Sequence, residues 1–495
     1  MSVARGETIA AVTNATLLGA AEPVDLHLAD GRIAEVSPAG STAATGPALD
    51  AGGRTVLPGF WDHHVHTVQA ALWAERTNLL GAASAAEAAR AMAASPALGD
   101  GRKVGMGMRD ALWPDEPTFE LLDAATGEVP TYILNSDLHS MWINSAAARR
   151  EGLPEGLGPI LREMDCFRVS GVINAVDDAR SDTLMAQLGR QAASRGLVGI
   201  VDLQWTWTEP MWTRRIANGF DWLRVDIDFY PEHLPRAIAE GMRSGDVARG
   251  AADSLAVFHA LKLVTDGSIG TRTAACTHHY ADDHGNFGAI TIEADAVTDY
   301  LRQATAAGIR VAVHAIGDLA NANALDAFEA TGAAGTIEHA QLVQPSDLAR
   351  MARLGVAASI QPEHALDDRD IVDRVWADQT AIAYPGRSLQ RAGVVMQLGS
   401  DAPVAPLDPW MAIASAVYRQ NSERAAWRSA EAIDLETAIA ASTHAGSGPN
   451  AQRIAAGQVA DLVICDSDPA TAAPLELRTM PVGATLLGGR ITHLG

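Results

Sequence analysis

Eight short apolar runs recur through the middle of this chain, and the segments between several of them carry helix signals. The runs are FWDHHVH (60–66), LVGIVDL (197–203), LRVDIDFY (223–230), HALKLVTD (259–266), IRVAVHA (309–315), TIEHA (336–340), VAASIQP (356–362) and VVMQLGSD (394–401). Runs of this length, rich in β-branched residues and bounded by turn residues, read as strands. ADAVTDYLRQATAAG reads as a helix stopped by Gly308 and leads into the fifth run; SDLARMARLG reads as a helix stopped by Gly355 and leads into the seventh. Further upstream, SAAEAARAMAAS opens with the Ser84 and Glu87 of a capping box. Alternating strands and helices imply βα units and a parallel sheet, and eight such strands imply an α/β fold of the TIM-like (β/α)8 barrel type.

The ends of the chain have a different texture. IAAVTNATLLG, VDLHLADGRIAEVS and ALDAGGRTVLPGF near the start, and GQVADLVICDSD and VGATLLGGRITHLG near the end, read as short strands joined by tight turns. Both ends together predict a small β-sandwich domain formed by residues 1–57 and 451–495, enclosing a barrel over 58–450. Between the first two barrel strands lies a long insertion, about 70–195, with its own strands KVGMGM and TYILNS.

With 495 residues and 48% hydrophobic residues, the chain has ample material for a large core. A net charge of −23 argues against nucleic acid and anionic membrane surfaces as partners, leaving a small-molecule substrate. The three cysteines, Cys166, Cys276 and Cys465, are odd in number and widely spaced, which fits a reducing compartment without a disulfide framework. No basic-then-apolar leader opens the sequence and no apolar run is long enough to cross a bilayer, so a cytoplasmic protein is expected. Nothing in the composition conflicts with a homodimer.

Barrel enzymes keep their chemistry at the C-terminal ends of the strands. The first run there places Asp62, His64 and His66 on one strand face and His63 on the other. The fourth run contains Lys262; the fifth ends in His314, the sixth in His339 and the eighth in Asp401. Imidazole nitrogens and carboxylates suit zinc and similar divalent ions, and this set provides ligands for one ion and part of a second. Lys262 lies among Ala260, Leu261, Leu263 and Val264, where an ammonium is costly to bury and burial lowers its pKa. A plain structural lysine is the alternative there. His63 is expected to pack behind the strand, and Asp62 to orient a histidine or a backbone amide.

GFWDHHVH at the start and GSDAPV near the end, with DLHSMWINS (137–145), GPILRE (158–163), LKLVTDGSIGTRTA (261–274), HHYADDHGNFG (278–288), VHAIGDLA (313–320), IEHAQLV (337–343) and the late GQVADLVICDSDP between and after them, resemble the amidohydrolase superfamily. The closest likeness is to amidohydrolase family 3, the branch that includes N-substituted formamide deformylases. The resemblance implies metal ligation by His64, His66, Lys262, His314, His339 and Asp401, with Lys262 as a carbamate formed from carbon dioxide and bridging two ions. It also implies Asp401 as the group that takes a proton from water and passes it to the leaving nitrogen. The insertion departs from the family pattern in GMGMRDALWPDE (105–116).

Substrate-binding candidates are His139, Trp142 and Glu163 in the insertion, and Arg272 and Tyr280 after the fourth strand. Asn144 and His279 are weaker candidates, for Trp142 ordinary core is the stronger reading, and the tryptophans of QWTWTEPMW (204–212) form an apolar wall or pack under the insertion. The expected activity is hydrolysis of a non-peptide C–N bond in an amide, formamide, lactam or similar cyclic amide. The alternatives are a one-metal deaminase of a heterocycle, against which Lys262 counts, and a non-catalytic barrel scaffold.

Overall fold

A computed structural model describes residues 3–154, 156–251 and 255–495. The eight apolar runs form one parallel sheet in chain order: Phe60–Val65, Leu197–Asp202, Arg224–Phe229, Ala256–Val264, Arg310–Ala315, Gly335–His339, Ala357–Ile360 and Met396–Leu398. Every residue of the first and second strands is buried, as expected for barrel strands covered by helices outside and side chains inside. The helices end as their glycines dictate: Gly308 and Gly355 both adopt left-handed conformations after Ala294–Ala307 and Pro345–Leu354. Ser84 caps Ala85–Ala94 by accepting from the Glu87 amide at 3.1 Å, while the Glu87 carboxylate takes the amide of Ala83, one residue upstream of the expected partner.

The barrel closes between its first and eighth strands by an unusual device. The eighth strand is short, and the chain beyond it leaves the ladder at Gly399. A single parallel bridge joins Val65 to Ala402, with the His66 amide donating to the Ala402 carbonyl at 2.9 Å. The Asp62 carboxylate completes the seam by accepting from the amides of Ser400, at 2.9 and 3.1 Å, and of His64, at 3.1 Å. Asp62 is thus a backbone clamp, and burial raises its pKa to about 7. Gly399 is required for this approach: a Cβ there would lie 2.8 Å from the His64 nitrogen.

The insertion forms a five-stranded sheet from Thr77–Asn78, Lys103–Met108, Thr131–Asn135, Ser140–Ile143 and Ile160–Arg162. Strands from both termini share another sheet, in which Ala11–Leu17 pairs through its first half with Val24–Ala29 and Ala48–Asp50, and through its last two residues with Thr55–Pro58. Leu462–Cys465, from the far end of the sequence, pairs with Thr55–Pro58. Val12, Leu26 and Ile33 pack there with Leu462, Ile464 and Leu486 in one apolar core. Among the described residues no helix is long and apolar enough to cross a membrane, and all three cysteines are free and buried.

Candidate active site

His64 stands inside the barrel mouth, 1% exposed. Its Nδ1 is 2.7 Å from Glu338 Oε2, which leaves Nε2 free to face the centre. His339 is arranged in the same way: Nδ1 lies 2.8 Å from Gln361 Oε1, and its ring centre is 4.8 Å from that of His64. Asp401 completes the group; His64, His339 and Asp401 each offer one ligand atom, all within 4.8 Å of one another. A histidine whose second nitrogen is held by a carboxylate or amide is the usual arrangement at metal sites, because that bond fixes the tautomer and aims the other nitrogen.

Local backbone geometry makes this convergence. Glu338 and His339 are consecutive and would face opposite sides of a regular strand. His339 has φ 73° and Ala340 φ 43°, so the chain turns at the strand end and both side chains reach His64. Asp401 has φ 57°. Left-handed conformations at residues other than glycine cost of order 1–3 kcal/mol each and concentrate at functional sites.

Electrostatics favour ligands in their binding forms. Burial, helped by the nearby Lys262, pushes His64 down to about 4, so its imidazole is neutral at pH 7. Burial, with His314 adjacent, holds His339 well below the ordinary histidine range. Burial alone would raise the Asp401 carboxyl, but the surrounding imidazoles of His64, His66 and His339 override it and keep Asp401 ionised. Glu338 is brought down to about 2, despite burial, by Lys262 and His64.

The other predicted ligands surround this trio. His66 Nε2 lies 3.2 Å from Asp401 Oδ1, and its Nδ1 is buried without a partner. The His314 ring is 4.5 Å from His339, but its Nε2 lies 3.3 Å from Asp266 Oδ1. Asp266 also accepts from the amides of Ala275, Ile316 and Gly317, which fixes the loops around it. Lys262 is 2% exposed and its Nζ has no hydrogen-bond partner; burial lowers its pKa, against the pull of Glu338, Asp401 and Asp228. His63 points elsewhere, its Nε2 2.9 Å from the Thr443 carbonyl.

Two adjoining clefts, of about 460 and 520 Å³, share Asp137, His139, His314, His339 and Asp401 as walls, and the smaller also opens on His64. His139 Nδ1 lies 2.8 Å from Glu163 Oε2. Burial would lower His139, but Glu163 and Asp137 hold it up at about 9, and Glu163 in turn lies at about 2. Glu163 also accepts from Thr273 at 2.6 Å and Asp137 from Ser268 at 2.7 Å, so the insertion is latched to the loop after the fourth strand. The smaller cleft has a wall of stacked rings: Trp205 lies 4.3 Å from Tyr230 and 4.8 Å from Phe167.

Of the expected substrate contacts only His139 lines the clefts; Glu163 stands behind it, and the other three lie elsewhere. Trp142 is fully buried in the core of the insertion and donates to the Thr118 carbonyl. Tyr280 is likewise fully buried, with its hydroxyl on the Ala274 carbonyl. Arg272 is turned to Asp282, at 2.8 Å. Asn144 caps the helix Ser145–Arg150, and His279 faces His284 in an outer loop. Glu338, His364, Asp137 and Phe167 are site residues that the strand-end rule does not find, while Tyr230 and Gln361 stand at the ends of the third and seventh runs without being among the expected site residues. A carboxylate within the apolar run TIEHA, next to a strand-end histidine, was the available signal for Glu338.

The model of the amidohydrolase family matches residues 48–493. The chain is 26% identical to the Arabidopsis thaliana protein LONG AFTER FAR-RED 3 over 469 residues, which cover 84% of this chain and 78% of that protein. It is 29% identical over 248 residues to the N-substituted formamide deformylase of Arthrobacter pascens, a match covering 47% of this chain and 45% of that enzyme. The crystal structure of an uncharacterized metal-dependent hydrolase from Pyrococcus horikoshii OT3 has the same fold: TM-score 0.78 at 24% identity, covering 94% of this chain and 98% of the other.

Proposed function

The chain belongs to the amidohydrolase family and is an enzyme, and from that premise we propose that it hydrolyses a non-peptide C–N bond, in an amide, formamide, lactam or similar cyclic amide, with a divalent metal at the barrel mouth. The observation that carries this reading is the convergence of His64, His339 and Asp401 with their ligand atoms within 4.8 Å, the Nδ1 of each histidine being already engaged by a neighbour.

The donor set fits zinc, one ion or two. Two buried atoms beside the trio, His66 Nδ1 and Lys262 Nζ, have no partner, and buried polar atoms are rarely left unsatisfied unless something occupies the space next to them. His64, His66, His339 and Asp401 would hold the first ion; His314 and Lys262 would complete a second. A bound ion of this kind supplies an acidified water and a polarised substrate carbonyl. Lys262 suits modification, since a neutral Nζ adds to the carbon of carbon dioxide and releases a proton, leaving a carbamate with two ligand oxygens.

The remaining work falls to side chains. Asp401, ionised and facing the cluster, accepts a proton from the attacking water and delivers it to the departing nitrogen. His139, held as a cation by Glu163, offers a hydrogen-bond donor to the substrate oxygen from the opposite wall. Trp205, Tyr230 and Phe167 exclude bulk water on one side. The test is a hydrolysis screen of N-formyl, N-acyl and cyclic amides with zinc-loaded protein. Release of amine from at least one class supports the reading, whereas ammonia release from heterocycles with inert amides would replace it with deamination.

A further inference from the structure

Arg419 is one of several deeply buried arginines, and it differs from the others in having almost nothing to hold. Arg215, 3% exposed, pairs with Asp182 and donates to Ser181. Arg102 pairs with Asp100. Arg76 has no carboxylate, but its guanidinium donates to Asn174, the Ile173 carbonyl and the Met106 sulfur. Arg419, also 3% exposed, makes one side-chain hydrogen bond, from Nε to the Trp427 carbonyl at 3.3 Å. Its Nη2 is buried without a partner, and among the described residues no carboxylate lies within salt-bridge distance.

The side chain cannot easily swing out to water. Arg419 follows the helix Pro409–Tyr418 at a left-handed position, φ 54°, where glycine is the usual residue. The Trp427 amide donates to the Arg419 carbonyl at 2.9 Å while the Trp427 carbonyl accepts from Nε, and the guanidinium carbon sits 5.5 Å from the Trp427 ring. Arg419 lines a small cleft, with room for one small ion, whose other walls are Ile360, Pro362, Tyr384 and Ile433. The acidic side chain on that wall, Glu431, is bound through both oxygens to Ser388, at 2.8 and 2.9 Å. The Tyr384 hydroxyl donates away to Asp368. Burial lowers the guanidinium to about 10, so it remains a cation at neutral pH. Glu431 offsets part of this buried charge without bonding to it, and an anion within hydrogen-bonding reach would satisfy the unpartnered Nη2.

We propose that this cavity is an anion site, in which Arg419 takes a small monovalent anion, a halide or a short carboxylate, separate from the metal centre. Its other walls include His339 and Gln361, the residue that holds His339 Nδ1, so an occupant would touch the back of the catalytic cluster.

The direct test is a crystal of the full chain, metal-loaded and grown without halide, then soaked in sodium bromide. The expected result is an anomalous peak within hydrogen-bonding reach of the Arg419 guanidinium. The companion measurement is thermal unfolding during titration with sodium bromide and with sodium formate. Wild type should show a saturable rise in Tm that Arg419→Met and Arg419→Gln both lose; if neither variant folds, the bromide soak of the wild type decides alone. Bromide confined to exposed surface positions, with the guanidinium bonded only to water, would overturn the proposal. So would a Tm rise of equal size in the folded variants.

Discussion

Two groups of histidines and carboxylates occupy this barrel, and they are built to opposite ends. Around the mouth, His64 and His339 each spend one nitrogen on a neighbour and keep the other for the centre, while His66 Nδ1 and Lys262 Nζ are buried without partners. Toward the start of the strands, near Trp61 and Arg224, the pairing is nearly complete. His259 Nδ1 lies 2.7 Å from Asp228, His444 Nε2 lies 3.1 Å from Asp226, and His63 Nε2 is 2.9 Å from the Thr443 carbonyl. The residue types are the same; what differs is the residual bonding capacity. Paired buried groups stabilise a single packing, whereas groups left short of partners are retained for a ligand or for chemistry. Under the proposed function the first group serves catalysis and the second, where only Asp228 Oδ2 lacks a partner among the atoms named, serves structure; variants in each should separate the two.

The largest effect is expected at the mouth. Asp401→Asn keeps the shape but cannot accept a proton at neutral pH, so turnover should fall by roughly 10²–10⁴ with bound metal largely retained. Steady-state kinetics alongside elemental analysis reads both, and near-normal turnover would move proton transfer to another group, Glu163 or a histidine.

His259→Gln should leave metal content and turnover at the mouth unchanged and cost stability in a pH-dependent way. Asp228, with Asp226, raises His259 to about 9 in the folded chain against the downward push of burial; its unfolded value is about 6.5. A raised folded value means the stabilisation is complete below pH 6.5 and is lost as pH rises through about 9. The expected difference from wild type is about 1–3 kcal/mol at pH 6, shrinking toward pH 10. Denaturant unfolding at both pH values checks it; a difference that grows with pH would contradict the assigned ion pair.

A smaller effect belongs to His63→Ala. It lies beside His64 in sequence but should retain full metal, with a stability loss of about 1 kcal/mol from the broken bond to Thr443. Metal loss in this variant would erase the distinction between the two groups. His444→Ala, at a side chain 56% exposed, should change stability by no more than about 0.5 kcal/mol, measured by the same unfolding curves.

This contrast was only partly legible in the sequence. All eight barrel strands were, because buried parallel strands read as continuous apolar runs and each stops at a helix or turn signal. Strand-end histidines were legible for the same reason. Glu338 was not, because a strict two-residue alternation turns it away from the site, and only the left-handed turn at His339 reverses that. Gln361 and His364 follow the seventh strand, where the eye finds no cluster. The large residues of otherwise informative motifs, Trp142 and Tyr280, went to packing, since a motif marks a position without saying which of its side chains faces the cleft. The sequence marks Asp62 as an orienting group, and the structure gives that role a concrete form in the barrel seam.

The most direct test of the account is metal stoichiometry by elemental analysis on purified wild type and on the His64→Ala, His339→Ala double variant, with folding confirmed by circular dichroism. Wild type should carry one to two equivalents of a divalent ion, and the folded double variant should lose most of it. Full metal content in that variant would place the ion elsewhere and contradict the assignment of the barrel mouth as the metal centre.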